Sequence, residues 1–321
     1  MFRSYVDQAL GYFGRPRIGV PAGPVDDPAA WRSADLPESD WSWPLSPTEA
    51  EEFAAVGREL VARGAALDVL TRDDVEAPAL ASLAERCRLE LDAGLGVVLL
   101  RGAPVTEMEP AHVEAAFWAF GLLLGWPGAQ NGAGDLLGHV TDYHDPAGAP
   151  LAREYRSTVD IDFHCDAADV VGLLCVSTAA EGGESRLVSS VAVFNELVAT
   201  HPELAARLCE EAELDTRSDG EGFPHVPVVP VCFDGERVRT FMHLGYFRSA
   251  ARHPDVVVDD RLAAALDAWE AIADRPDWHL DMALAPGDLQ LCSNHTIAHA
   301  RRGYVDDPES PRHLLRLWVT L

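Results

Sequence analysis

The chain has 321 residues, 48% of them apolar, and a formal net charge of −27 at pH 7. This apolar content is ample for a buried core, so we expect a folded globular protein. The negative charge, with no basic cluster to offset it, opposes binding to nucleic acids and anionic membranes, and neither is expected as a partner.

Several absences narrow the class further. All 25 basic side chains are arginine, which excludes chemistry that needs a lysine, such as a Schiff base with pyridoxal phosphate or a P-loop. The six cysteines form no C-x-x-C pair, so reduced thiols are expected. No apolar run suits a signal peptide or a membrane span, which predicts a cytoplasmic protein.

The first ninety residues are predicted to form a mostly helical N-terminal segment after an irregular lead. Ser46-Pro47-Thr48-Glu49 has the pattern of a capping box with proline at the first helical position. The helix that follows is expected to end at Gly64, and a second helix is predicted from Pro78 to Gly94.

The rest of the chain, residues 91–321, is dominated by short strand-like runs. A buried strand is predicted at 96–102, a helix between Pro110 and Gly125, and helical insertions at 191–211 and 259–274. Asp234-Gly235 predicts a hairpin, and three more strand-like segments follow: WHLDMAL, DLQLCSNHTIAHAR and HLLRLWVTL. We therefore predict a mainly β fold with flanking helices (α+β), an antiparallel sandwich or barrel in one domain spanning 1–321.

The segment TVDIDFHCDAADVVGLLC, residues 158–175, has two different faces when it is read as a strand. Val159, Ile161, Phe163 and Cys165 share one face, and Thr158, Asp160, Asp162, His164 and Asp166 share the other. An exposed edge strand would explain the polar face. The unbroken apolar run VVGLLCV that follows instead favours a strand inside the sheet, with its polar face lining a cavity.

His-x-Asp occurs three times, at 164/166, 253/255 and 279/281. The second copy lies in a proline-bent connection, and the third lies too near the histidines and arginines that follow it. The first copy leaves room for a barrel before them. We expect His164 and Asp166, two positions apart on one strand face, to hold adjacent positions on a metal ion.

A third ligand is expected from NHTIAHARRGY, where His299 is the candidate. Two histidines and one carboxylate leave three neighbouring positions open, as in non-haem Fe(II) oxygenases. An alternative is a helical zinc pair of His295 and His299, but Thr296 stands where H-E-x-x-H requires glutamate. A hydrogen-bonded core histidine is the other reading of His299.

The C-terminal PRHLLRLWVTL places Arg312, Leu314, Arg316 and Trp318 on one face of a strongly apolar strand. Arginine forks are suited to carboxylates, so these two arginines are candidates for binding a diacid. An ordinary surface strand would also explain them.

Together, FHCDAADVVGLLCVSTAAEGGESRLVSS and PGDLQLCSNHTIAHARRGYVDDPESPRHLLRLWVTL resemble the taurine/2,4-dichlorophenoxyacetate dioxygenase family of Fe(II)- and 2-oxoglutarate-dependent oxygenases. The resemblance joins His-x-Asp, a Gly-Gly-acidic-hydroxyl turn, a distal histidine and a terminal arginine pair in one order. It covers the chain from about Leu91, and the first ninety residues match only loosely. It implies a double-stranded β-helix (jelly-roll) core.

The resemblance also implies roles for individual residues. Iron would be held by His164, Asp166 and His299. The distal carboxylate of 2-oxoglutarate would be met by Arg312 and Ser185, with Arg316 near the other carboxylate. With O₂ as oxidant, the implied reaction releases succinate and CO₂. It oxidises an unactivated C–H of a small molecule, usually by hydroxylation, with desaturation or cyclisation as other outcomes.

Four residues are expected near the substrate: Asp160, Gln130, Tyr155 and Phe163. A carboxylate at Asp160 would favour a cationic or amine-bearing substrate. A homo-oligomer is a further hypothesis. Two alternatives on the same barrel stay open: a redox-inactive metal-dependent lyase or hydrolase, and a non-catalytic ligand-binding protein.

Overall fold

The computed structural model describes residues 3–64, 66–144, 156–217 and 223–321, so the predicted substrate residue Tyr155 lies outside the described residues. The helices are α1 (Tyr5–Phe13), α2 (Glu38–Trp41), α3 (Pro47–Arg63), α4 (Pro78–Ala93), α5 (Pro110–Leu124), α6 (Ser190–Thr200), α7 (Pro202–Leu208), α8 (Leu244–Ser249) and α9 (Asp260–Ala273). The strands are β1 (Ser42–Pro44), β2 (Val97–Arg101), β3 (Trp126–Gly128), β4 (Gly138–Val140), β5 (Ile161–His164), β6 (Val170–Ser177), β7 (Glu181–Gly182), β8 (Ser185–Ser189), β9 (Ala212–Asp215), β10 (His225–Val228), β11 (Val231–Phe233), β12 (Val238–Thr240), β13 (His279–Met282), β14 (Leu289–Ser293), β15 (Ile297–Arg301), β16 (Tyr304–Val305) and β17 (His313–Thr320).

Two sheets face each other at the centre. The larger has the strand order β1-β2-β14-β6-β17-β3, with β4 also paired to β17, and the smaller has the order β13-β8-β15-β5. A buried side-chain hydrogen bond from Ser185 on β8 to Gln290 on β14 joins the two inner faces. This double-stranded β-helix with flanking helices confirms the predicted fold class.

Alternation along the strands divides the apolar residues among three layers. On β17, Leu315 and Leu317 face the helices α3, α4 and α5, which cover the outer side of the larger sheet. Trp318 faces the other way and packs with Leu187 of the smaller sheet between the two sheets. The helices α6 and α9 belong to a third cluster, which includes Val188 on the outer side of the smaller sheet.

The N-terminal helices begin and end where the sequence predicts. In α3 the Ser46 N–H donates to Glu49 Oε2 at 2.6 Å, the Glu49 N–H donates to Ser46 Oγ at 3.3 Å, and Gly64 ends the helix at φ 66°. The predicted insertion at 191–211 is instead two helices, α6 and α7. They separate at His201, with φ −142° and ψ 65°, because Pro202 has no N–H and disfavours helical backbone at the residue before it.

The structure confirms one predicted hairpin and divides one predicted strand into two. The hairpin at Asp234-Gly235 is confirmed as β11–β12, but β12 ends at Thr240. The segment DLQLCSNHTIAHAR is not one strand, because a turn at 294–296 separates β14 in the larger sheet from β15 in the smaller. The prediction of a single strand-like segment here was therefore wrong.

All six cysteines are free. Burial raises the pKa of Cys87 and of Cys165 to about 12, so both remain thiols at neutral pH. Within the described ranges, no helix combines the length and the apolar character that crossing a bilayer requires.

Candidate active site

His164 and His299 lie side by side on the inner face of the smaller sheet. His164 is the last residue of β5, and the antiparallel register with β15 places His299 directly opposite. Directly opposed residues point to the same face of a sheet. The two ring centroids are 4.2 Å apart, with His299 buried and His164 half-buried.

Asp166 lies beyond the end of β5, so the prediction that it shares a strand with His164 was wrong. Two hydrogen bonds hold it instead. Its backbone N–H donates to Asn294 Oδ1 at 3.0 Å, and its Oδ2 accepts the indole N–H of Trp318 at 2.9 Å. The carboxylate is thereby brought to 3.7 Å from His299 Nε2.

The ligand atoms of His164, Asp166 and His299 all lie within 4.8 Å of one another, and no other group of three such side chains gathers in the described part of the chain. His164 Nδ1 lies 2.9 Å from the Asp162 carbonyl oxygen. Because a carbonyl oxygen only accepts, Nδ1 carries the proton, and Nε2 keeps its lone pair for a metal. Two imidazoles and one carboxylate fit Fe(II).

The protonation states favour metal binding. Burial lowers the pKa of His299 to about 3, so its ring is neutral at physiological pH. Burial opposes ionisation of Asp166, but the charge of nearby Arg316 and the hydrogen bond from Trp318 help to outweigh it, and the pKa of that carboxyl lies below its usual value. Arg316 Nη1 is 4.0 Å from Asp166 Oδ2.

The other His-x-Asp pairs have different partners. His279 Nε2 is 2.7 Å from Arg186 Nη2. His253 contacts Asp215 at 3.3 Å, and Asp255 contacts His225 at 3.2 Å. Neither pair joins the group of three.

The helical zinc alternative is contradicted by the backbone around His295. His295 lies in the turn after β14, stacks on Tyr12 with ring centroids 4.9 Å apart, and contacts Asp169 at 2.7 Å. His299 is on a strand rather than a helix. The two histidines therefore do not form an i, i+4 helical pair.

Arg312 is a buried cation beside the Gly-Gly turn. It is 5% exposed, no ion pair joins it to any described carboxylate, and its Nη1 has no hydrogen-bond partner. Burial lowers the pKa of Arg312 from its usual value. Gly183, at φ 78°, allows this packing, because a Cβ there would lie 3.1 Å from Arg312 Nε. A buried charge of this kind requires a counter-charge, so the site is suited to an anionic ligand.

Ser185 begins β8, two residues after Gly183, the glycine that packs against Arg312. Its hydroxyl donates at 2.5 Å to Oε1 of Gln290, which is fully buried. Gln290 was not predicted as a site residue, although a polar residue within the apolar run DLQLC was a signal.

The structure places the three described substrate candidates in different surroundings. Gln130 Oε1 accepts from Arg316 Nε at 2.6 Å, and its Nε2 donates to the Arg316 carbonyl at 2.8 Å. Asp160 is exposed and accepts the Gly303 N–H at 2.9 Å. Phe163 is 3% exposed and packs in the outer cluster, on the side of β5 away from His164. Of the three, Gln130 contacts an arginine of the site.

A stack of aromatic rings next to His164 was not predicted from the sequence. The His243 ring centroid is 5.1 Å from that of His164, and Tyr246 stacks on His243 at 3.6 Å. The Arg217 guanidinium lies 4.3 Å from the Tyr246 ring centroid. These residues are distant from His164 in the sequence, and no local motif marks them.

Comparison with known proteins identifies the family. The sequence profile of the taurine catabolism dioxygenase TauD, TfdA family matches residues 62–318. FR-33289 synthase of Streptomyces rubellomurinus is 30% identical over 312 residues, 93% of this chain and 91% of that protein. The chain belongs to the TauD/TfdA dioxygenase family.

More distant relatives and solved structures agree with this membership. Uridine-5'-phosphate dioxygenase of a Streptomyces species is 34% identical over 145 residues, 45% of this dioxygenase and 53% of that protein. Asparagine oxygenase with Fe(II), hydroxyasparagine and succinate superposes with a TM-score of 0.68 at 21% identity, covering 87% of this chain and 93% of that one. OrfP with Fe and α-ketoglutaric acid gives 0.65 at 16% identity, covering 87% and 94%.

The family and the site together establish the reaction class. This TauD/TfdA dioxygenase is an Fe(II)- and 2-oxoglutarate-dependent oxygenase that uses O₂ and acts on a small molecule. No feature described at the site favours either alternative, the redox-inactive metal-dependent lyase or hydrolase or the non-catalytic ligand-binding protein.

Proposed function

We propose that this dioxygenase holds Fe(II) with His164, Asp166 and His299 and hydroxylates a C–H bond of an anionic small molecule. The observation that carries the proposal is the gathering of these three ligand atoms within 4.8 Å. When bound, the iron with 2-oxoglutarate and O₂ supplies the oxidation of an unactivated carbon and yields succinate and CO₂.

The protein's own contribution at the metal is orientation. Asn294 and Trp318 fix Asp166 from its backbone and its carboxylate, and the Asp162 carbonyl fixes the ring of His164. Such contacts behind the ligands hold the donor atoms in place before the metal arrives.

The cosubstrate would be held by the two arginines of β17 and the loop before it. Arg312, buried and without a carboxylate partner among the described residues, is proposed to meet the distal carboxylate of 2-oxoglutarate. Arg316 lies beside Asp166 and would be near the carboxylate at the metal end, with Gln130 fixing its position. Ser185 is proposed as part of the same pocket.

The substrate is proposed to lie against the stacked rings of His243 and Tyr246. Arg217 at the outer end of that stack favours an anionic group on the substrate. The name of one relative, uridine-5'-phosphate dioxygenase, agrees with a phosphorylated substrate. Asp160, whose carboxylate already accepts a backbone N–H, gives little support to the cationic substrate considered from the sequence.

The decisive experiment adds Fe(II) and 2-oxoglutarate to the protein without oxygen and records the weak visible charge-transfer band of the chelate. Oxygen is then admitted, and succinate is measured with matched pairs of phosphorylated and unphosphorylated small molecules. We expect the band, and we expect substrate-dependent succinate only from the anionic members. A band without such selectivity would contradict the substrate class alone.

Variants localise the metal. His299→Ala and Asp166→Ala are expected to abolish the band, whereas Asp255→Asn, at an exposed carboxylate that contacts His225 and none of the three ligands, should leave it unchanged. An unaltered band in both alanine variants would refute the assignment of the ligands.

A further inference from the structure

The most informative buried polar group outside the metal ligands is the carboxamide of Gln290. The residue is 0% exposed, its Oε1 accepts the Ser185 hydroxyl at 2.5 Å, and its Nε2 has no hydrogen-bond partner. A buried N–H without an acceptor is costly and uncommon, so an acceptor is expected to arrive with a ligand.

The sheet registers show where that acceptor would lie. Gln290 is opposite Leu173 on β6, and Leu173 is opposite Arg316 on β17, so Gln290 and Arg316 share the inner face of the larger sheet. Ser185 reaches the carboxamide from the smaller sheet, directly opposite Arg301 on the strand that carries His299. The unpartnered Nε2 is therefore between the sheets, on the same side as the metal ligands.

A second buried donor without an acceptor lies against the turn that precedes Ser185. Arg312 Nη1 is also buried without a partner, and the Arg312 side chain packs on Gly183, two residues before Ser185. One of these two donor groups thus belongs to the hydrogen-bond partner of Ser185, and the other, which is cationic, packs against the glycine two residues before Ser185. One carboxylate has enough lone pairs for both.

We propose that Gln290 Nε2 is a direct donor to the distal carboxylate of 2-oxoglutarate, and that Ser185 orients the Gln290 carboxamide rather than binding the carboxylate itself. This rests on the proposed placement of that carboxylate at Arg312. The Ser185 proton is already given to Oε1, which leaves Nε2 as the free end of the amide. The opposite amide orientation would turn an oxygen toward an anion, so the bound carboxylate reinforces the orientation seen here.

The consequence is selectivity for a five-carbon diacid. Gln290 would increase the binding affinity only for ligands that carry the distal carboxylate. It would not affect the affinity for 2-oxo acids that lack this group. The contribution of Ser185 would pass through Gln290, so the two residues would not act additively.

The test measures binding to the anaerobic Fe(II) protein by calorimetry with two ligands. One is N-oxalylglycine, a non-reacting analogue with the distal carboxylate, and the other is 2-oxopentanoate, which lacks it. Gln290→Leu is expected to weaken N-oxalylglycine about tenfold, as for loss of a hydrogen bond to a charged group, and to leave 2-oxopentanoate unchanged. Ser185→Ala should weaken N-oxalylglycine by less, and the double variant should match Gln290→Leu.

A second variant of Gln290 distinguishes loss of the hydrogen bond from misfolding of the protein. Gln290→Glu keeps the shape and the acceptor for Ser185 but places a negative charge at Nε2, so it should reject N-oxalylglycine more strongly while still binding 2-oxopentanoate. Additive losses in the double variant, or unaltered N-oxalylglycine affinity in both Gln290 variants, would overturn the proposal. Equal losses for both ligands would do the same. Failure of the unmodified protein to bind N-oxalylglycine would instead refute the proposed function, because the protein would then have no site for 2-oxoglutarate.

Discussion

Trp318, on β17 of the larger sheet, donates its indole N–H to Oδ2 of the proposed metal ligand Asp166 at 2.9 Å. Trp318→Phe would remove the donor and keep most of the ring. Because partners behind metal ligands typically contribute about 10–100-fold to metal affinity, we expect Fe(II) to bind at least tenfold more weakly. Anaerobic Fe(II) titration measures this directly.

The matched control is Trp126→Phe, a tryptophan 56% exposed on β3. It should bind Fe(II) like the unmodified protein. Equal Fe(II) affinity in Trp318→Phe and Trp126→Phe would show that the indole N–H has no role at the metal.

At the scale of elements, the turn between β7 and β8 is shaped by a glycine that contacts the proposed cosubstrate arginine. Gly183 has φ 78°, and an added Cβ would lie 3.1 Å from Arg312 Nε. Gly183→Ala is therefore expected to lower stability by about 1–2 kcal/mol through backbone strain and, in addition, to raise the KM for 2-oxoglutarate by displacing Arg312.

Gly134→Ala separates the two effects. Gly134 has a similar φ of 87° but nothing within 4 Å of an added Cβ. It should lose comparable stability and keep the KM for 2-oxoglutarate. If Gly183→Ala also kept that KM, Arg312 would not be the group that Gly183 accommodates.

The strand β9, which pairs with β10, ends in the buried carboxylate of Asp215, and Arg217 follows two residues later. Asp215 is 0% exposed and accepts from Ser249, Arg252 and the Arg217 N–H. Burial raises its pKa, but the hydrogen bonds from Arg252 and its other partners outweigh burial and hold the pKa of Asp215 well below the usual value. Because the Arg252 side chain is itself 40% exposed, Asp215→Asn is expected to destabilise the protein by about 1.5–3 kcal/mol at pH 7, as for lost hydrogen bonds to a charged group.

The sign of the pH dependence follows from the lowered pKa. A carboxyl with a depressed folded-state pKa stabilises the fold above its unfolded pKa of about 3.9, and that stability is lost as the pH falls below it. Urea unfolding of the unmodified protein and Asp215→Asn should therefore differ most near pH 7 and converge in acid. A difference that did not shrink with falling pH would contradict this role of the charge.

Local patterns in the sequence predicted those features that depend on neighbouring residues. The capping box at Ser46, the turn at Asp234 and the motif residues His164 and His299 are all readable from short segments. The break at His201 was also signalled by Pro202, but the apolar run on either side masked it. Gln290 was not predicted because its partner Ser185 is on the other sheet, 105 positions away, and only the fold brings the two together.

The site depends on both sheets of the molecule. His164, His299 and Ser185 come from the smaller sheet, while Gln290 and Arg316 come from the larger one. The apolar residues between the sheets, among them Leu187 and Trp318, therefore hold the two halves of the site in register. The predicted absence of nucleic-acid and membrane partners and the hypothesis of a homo-oligomer stay predictions at this scale.

The helices of the first ninety residues share a core with the larger sheet, which bears on the prediction of one domain over residues 1–321. Phe53 of α3 is 2% exposed and lies in one cluster with Leu291 of β14. Phe53→Ala should lower the free energy of unfolding by about 3–5 kcal/mol, and Leu291→Ala should lower it by about 2–5 kcal/mol. Because a shared core unfolds cooperatively, both should lower the same thermal transition, seen together by far-UV circular dichroism and tryptophan fluorescence.

The surface residue Val69, 65% exposed, provides the control, since Val69→Ala should leave the transition unchanged. Two separate transitions, with Phe53→Ala shifting one and Leu291→Ala the other, would show that the helical segment and the barrel are independent units. A single transition moved by both variants would mean that the helices stabilise the sheet whose inner face carries Gln290 and Arg316. A variant that destabilises the packing of α3 would then weaken 2-oxoglutarate binding, although none of the residues proposed to contact 2-oxoglutarate is changed.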